Sequence, residues 1–93
     1  KKSQKIWEYS EKLTDLAAAK ETAALKIRTI EGIDFNWFVN KTGFNFLRLE
    51  QEPVPELIRQ KLIRYKYKNR AKIGITLTKR GILFADTVSS AFL

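Results

Sequence analysis

Between Arg64 and Leu77 the chain alternates polar and apolar positions on both sides of a polar turn, and this pattern limits the available folds more than any other. Tyr65 and Tyr67 alternate with Arg64, Lys66 and Lys68; after Asn69-Arg70-Ala71, Ile73, Ile75 and Leu77 alternate with Lys72, Gly74 and Thr76. Period two on both arms predicts an antiparallel β-hairpin. The segments around it carry the other period, that of the helix.

Leu16, Ala19, Ala23, Ile27 and Ile30 recur at helical spacing, which predicts a helix over about 15–30 with Thr14 as N-cap and Gly32 as its stop. Its face is thin, because alanines let a neighbouring helix come close. Asp34 reads as a second N-cap, and Phe35, Trp37, Phe38 and Val39 run on to Gly43, so a helix of about two turns fits there. Phe44, Phe46 and Leu47 follow as core fillers. Pro53 and Pro55 suit a third helix start, with Val54, Leu57, Ile58 and Leu62 on one face and an end near Arg64. Thr78 is placed to cap a last helix whose stripe holds Phe84, Val88 and Ala91, while Ile82, Leu83, Phe92 and Leu93 fall partly off it. The expected fold is mostly α with a small antiparallel β-hairpin, in the helix-helix-helix-hairpin-helix order of a winged-helix-like helical domain.

Ninety-three residues allow one small domain with one core, and 44% hydrophobic residues with eleven aromatics are enough to fill it. The stretch through Lys12 shows no clear period and reads as a linker or docking segment (1–12) ahead of a single domain at 13–93. Without a methionine even at its first position, the chain reads as a piece of a longer protein. Cysteine and histidine are absent, which removes thiolate nucleophiles, Ser-His relays, the usual zinc sites and iron–sulfur ligation from this segment. No apolar run approaches the roughly 20 residues of a membrane span, and no signal core follows the N-terminus, so a cytoplasmic protein is expected.

Eighteen Lys and Arg against ten Asp and Glu give a net charge of +8, and no acid occurs between Leu57 and Ala85. Arg64, Lys66, Lys68, Arg70 and Lys72 on the hairpin are therefore candidates for polyanion contact, with Tyr65 or Tyr67 stacking on bases. The plainer reading is that alternation turns these cations to water on an edge hairpin, where they block aggregation. Few Asn, Gln or Arg residues on the third helix are suited to reading base edges, which favours the plainer reading. Arg28 and Glu31 are spaced to pair at a helix end, and Asp86 reads as a locally paired acid rather than a base. Trp7, Ile82, Leu83 and Phe92 are the candidates for an interface with a neighbouring domain or protein partner.

The pattern Glu11-x-Leu13-Thr14, then Glu21, Leu25, Ile27-Arg28-Thr29-x-Glu31-Gly32-Ile33 and Phe38, resembles the entry to the C-terminal domain of oxygen-independent coproporphyrinogen III oxidases and their haem-chaperone relatives. Leu57-Ile58-x-x-Lys61-Leu62-Ile63, Leu77-Thr78-x-x-Gly81 and Asp86-x-Val88 are similar to that domain's closing segment. There are two departures from the family pattern, which has Gly at Lys61 and a Leu-Gly-Leu-Arg run at Leu25-Lys26-Ile27-Arg28; both add charge and bear on surface contacts.

The resemblance implies a parent radical S-adenosylmethionine protein of tetrapyrrole metabolism. Its 4Fe-4S cluster and S-adenosylmethionine would sit in an upstream barrel, so no cofactor and no catalytic residue fall in this chain. Arg28, Glu31, Gly32, Thr78, Gly81 and Asp86 would be structural family residues. The partners implied are the parent's own catalytic barrel and porphyrin or haem. Nucleic acid is the partner only if the chain is instead a basic winged-helix module.

Overall fold

The computed structural model describes the backbone from Lys2 to Leu93 and the side chains from Thr14 onward. Helix α1 (Lys2–Lys26) is longer than the expected one and is displaced toward the N-terminus. Residues 2–12, read as a linker, contain no Gly or Pro and continue the helix, so Thr14 lies inside it rather than at its cap. At the other end the helix stops at Lys26. A tight turn follows, in which the amides of Arg28, Thr29 and Gly32 reach back three residues to the carbonyls of Leu25, Lys26 and Thr29 at 3.0–3.3 Å. Ala19, Ala23 and Ile27 are buried as expected and Ala24 joins them, but Ile30 has left the helical phase and is 99% exposed.

A two-residue strand β1 (Ile33–Asp34) leads into α2 (Phe35–Thr42). Here the end signals hold: the Asp34 carboxylate accepts the Trp37 amide at 2.9 Å, and Gly43 closes the helix at φ 81°. One turn of helix, α3 (Phe46–Leu49), is capped by Asn45 and turns Phe46 into the centre of the core. The Phe46 ring stacks on Phe35 at 5.9 Å and meets Phe38 and Phe92 edge-on at 5.2 and 5.4 Å.

Helix α4 (Pro53–Arg59) ends five residues before the expected Arg64. The Leu62 amide returns to the Leu57 carbonyl and the Lys61 amide to the Ile58 carbonyl, both at 3.0 Å, while Lys61 itself sits at φ 61°. This is a Schellman ending, completed by the burial of Leu57 and Leu62. Its left-handed position normally holds glycine, and here it holds lysine. Lys61→Gly is therefore expected to stabilise the fold by about 1 kcal/mol through relief of the left-handed side chain. A urea midpoint unchanged or lowered by the substitution would contradict that.

Strands β2 (Ile63–Lys68) and β3 (Ala71–Leu77) form the expected hairpin, and β1 adds to the far side of β3, giving a three-stranded antiparallel sheet in the order β1-β3-β2. The turn residues Asn69 and Arg70 both have positive φ (52° and 69°), as a two-residue hairpin turn requires. Register slips by one between Lys66, opposite Gly74, and Tyr67, opposite Lys72, so Ile73 is bulged out of the ladder.

The single last helix expected after Thr78 is two: α5 (Lys79–Leu83) and α6 (Ala85–Ala91), separated at Phe84. That break resets the helical phase. Phe84 and Ala91, expected in the buried stripe, are exposed, whereas Val88 and Phe92 are fully buried. Helix α6 packs on the alanine face of α1, close enough for the buried Ser89 hydroxyl to donate to the Ala24 carbonyl at 2.8 Å. Among the described residues no helix is long and apolar enough to cross a membrane.

Candidate functional site

The turn after α1, the base of the hairpin and α5 meet on one side of the domain, and five of the six residues singled out by motif act there as fasteners. Gly32 follows the turn with φ 71°, and a β-carbon on it would run into the Ile75 carbonyl oxygen of β3. Thr78 does two jobs with one hydroxyl: it accepts the Gly81 amide at 2.9 Å and donates to the Lys61 carbonyl at 2.6 Å. The first of those bonds caps α5 and the second ties α5 to the end of α4. Gly81 then rests against the backbone of Leu62, where a β-carbon would collide with the carbonyl oxygen.

Arg28 does not pair with Glu31. Its guanidinium bonds the carboxylate of Asp86, 58 residues away on α6, while Glu31 takes Lys26 at 3.5 Å. Both members of the Arg28–Asp86 pair are substantially exposed, so its part is to fix the turn against α6 rather than to supply much stability. Lys26, a departure from the resembling pattern, also lies over the Trp37 ring at 4.9 Å, so its added charge is taken up locally.

The interface candidates divide. Ile82 and Leu83 lie on α5 and are 63% and 81% exposed. Phe92 is corrected: it is a core residue against Phe46, because it lies one turn after the buried Val88 at the end of α6 and shares its face. The Trp7 side chain lies outside the described residues. In their place the structure adds Ile30, which no periodicity argument could find because it follows a helix end hidden in the sequence. Ile30, Leu77 and Ile82 line a cleft of about 350 Å³ with Arg28 and Arg64 among its polar residues. A second cleft of about 370 Å³ continues from it past Lys79, sharing Arg64, Leu77 and Ile82. The result is an open apolar strip bordered by cations, of the kind that marks an interaction surface.

The hairpin offers less to a polyanion than its composition suggests. Lys66 donates to the Glu31 carbonyl at 2.8 Å, and Lys72 sits 4.1 Å above the Tyr65 ring, whose edge is also taken by Tyr67. Arg64 faces the clefts. Lys68 and Arg70 at the tip are exposed, as is Tyr67. Helix α4 carries Glu56, whose carboxylate accepts from both Arg59 and Gln60 at 2.7 Å. Those bonds hold the Glu56 pKa below the ordinary carboxylate value.

Between α3 and α4 lies a residue that neither periodicity nor motif singles out. Glu50, just after α3, is 2% exposed, and its Oε2 has no hydrogen-bond partner. Burial raises its pKa to about 7, an effect that Lys20 partly offsets. Comparison with protein-family models, with curated proteins and with solved structures finds no match to this chain.

Proposed function

We propose that this chain is the non-catalytic C-terminal accessory domain of a radical S-adenosylmethionine protein of the oxygen-independent coproporphyrinogen III oxidase and haem-chaperone type. In this reading it is a winged-helix-like module that braces the parent's catalytic barrel and helps enclose a porphyrinogen or haem. The supporting observation is Lys61. The resembling pattern has glycine there, and the chain adopts at that residue the left-handed backbone of a Schellman ending, which glycine enters without strain. A departure noticed first as an added surface charge thus falls at the position where the backbone best explains a family glycine.

The other motif residues fit the same role. Arg28, Gly32, Thr78, Gly81 and Asp86 hold elements together, so what the resemblance preserves is a scaffold. The apolar strip of Ile30, Leu77 and Ile82, extended by Leu83, gives that scaffold a face for the barrel. As for the cofactors, the donor set does not fit an iron–sulfur cluster, since the chain has neither cysteine nor histidine. Cluster and S-adenosylmethionine belong to the barrel, and no chemical step is assigned to a residue of this chain.

The test is the iron and acid-labile sulfide content of the full-length parent purified without oxygen. Roughly four irons per polypeptide together with reductive cleavage of S-adenosylmethionine are expected. Absence of iron, with no cluster formed on reconstitution, would overturn the assignment.

A further inference from the structure

Two polar side chains are buried among the described residues, Ser89 and Glu50. The Ser89 hydroxyl has the Ala24 carbonyl as its partner; the Glu50 Oε2 has none. A buried carboxylate oxygen without a donor is costly, and its persistence asks what could complete it. Beside Glu50 opens a cleft of about 370 Å³ between α1 and the end of α6. Leu49, Ala91 and Leu93 supply apolar wall, Lys20 lines it from α1, and Glu52 adds a second carboxylate. The lining as a whole is more polar than apolar, and a short apolar wall beside two carboxylates suits a side chain that has an alkyl stem and a cationic head.

We propose that this cleft is a receptor for one arginine or lysine side chain, contributed by a protein segment that docks between α1 and the C-terminal end of α6, with Glu50 as the anion that receives it. The chain's own cation does not fill the place: Lys20 lines the cleft and acts on Glu50 through space, yet forms no ion pair with it. Local charge adds selectivity. On a chain of +8, this cleft gathers two carboxylates, Glu50 and Glu52, against the single cation Lys20, a local excess of acid that favours a cationic visitor. The carboxyl is held part-protonated near neutrality by burial, so a bound cation would draw it into the ionised form. The charged groups facing it are Lys20 from α1 and Glu52 from the turn before α4; the α6 wall contributes no side-chain charge. The inference stands apart from the coproporphyrinogen oxidase reading.

The experiment is a carbon-13 NMR pH titration of the Glu50 side-chain carboxyl, with n-propylguanidinium as probe and sodium chloride at the same concentration as control. With about 100 mM probe, the apparent pKa is expected to fall by about one unit relative to the salt control, corresponding to a Kd of about 10 mM for the ionised form. The amides of Leu49, Ala91 and Leu93 should shift with the same dependence. In Glu50→Gln, whose fold is checked by its hairpin resonances, those probe-dependent shifts should vanish. An equal pKa in probe and in salt would overturn the proposal, as would shifts that persist in Glu50→Gln.

Discussion

Replacing Gly81 by valine is expected to destabilise the domain by about 3 kcal/mol or more, a large part of the roughly 5–14 kcal/mol available to a chain of this length. The reason is steric and local. Gly81 lies in α5 with its Cα against the backbone of Leu62, and a β-carbon would overlap that carbonyl oxygen, which belongs to the chain entering β2 and cannot swing aside as a side chain could. The same carbonyl accepts the Thr78 amide at 3.1 Å, so moving it would also loosen the start of α5. Because the collision is made by the β-carbon itself, alanine should be nearly as damaging as valine. Urea denaturation of both variants checks this. A loss that grows smoothly from alanine to valine, beginning near zero, would show that slack exists between α5 and Leu62.

Glu50→Gln should change how stability depends on pH, and in the opposite sense to an ordinary paired carboxylate. Burial raises the Glu50 pKa in the folded chain to about 7, above its ordinary 4.5. Below pH 4.5 the carboxyl is protonated in both folded and unfolded chains, and its burial carries no ionisation penalty. Between about 4.5 and 7 the unfolded chain releases the proton while the folded chain keeps it, so stability falls as pH rises; above about 7 the loss is complete and constant. The size is on the order of 3 kcal/mol. Glutamine is neutral throughout, so the variant should lack this decline and gain most near pH 8, less a fraction for the amide's own unmet hydrogen bonds. Glu56, whose pKa is lowered by Arg59 and Gln60, behaves alike in both proteins and drops out of the comparison. Thermal melts of the two proteins from pH 4 to pH 8 decide it, and parallel curves would mean that Glu50 does not titrate across the expected range.

What could be read from the sequence depended on where the ending of each element was decided. Helix α2 was legible at both ends because its signals are local: a carboxylate reaching its third amide, and a glycine in the left-handed region. The hairpin was legible because its alternation survives along both arms, although the bulge at Ile73 and the partner strand β1 left no pattern of their own. Helix α4 was overrun because its left-handed residue is lysine, which carries no stop signal. The last helix reads as one because Phe84 is neither glycine nor proline and carries no stop signal; its break is visible only in three dimensions.

The site followed the same logic. Ile82 and Leu83 stood out as apolar residues off the stripe, and they are exposed. Phe92 falls off a stripe drawn through Phe84 and Ala91, both of which are exposed, whereas the buried face of α6 runs from Val88 to Phe92. Arg28 and Asp86 were each noticed, but nothing in their separate spacings points to a bond across 58 residues. Glu50 carries no signal at all, since an acid in the polar run Glu50-Gln51-Glu52 looks the same whether it faces water or the interior.

The base of the hairpin has a mechanical consequence. Thr78 joins the end of α4 to α5 through its hydroxyl, and its amide bonds the Leu62 carbonyl just before β2. The two arms therefore enter the body of the domain through one clasp. The hairpin is less a flap on a hinge than a handle fixed to a frame, and a load on the tip at Asn69 and Arg70 would turn the whole domain with it.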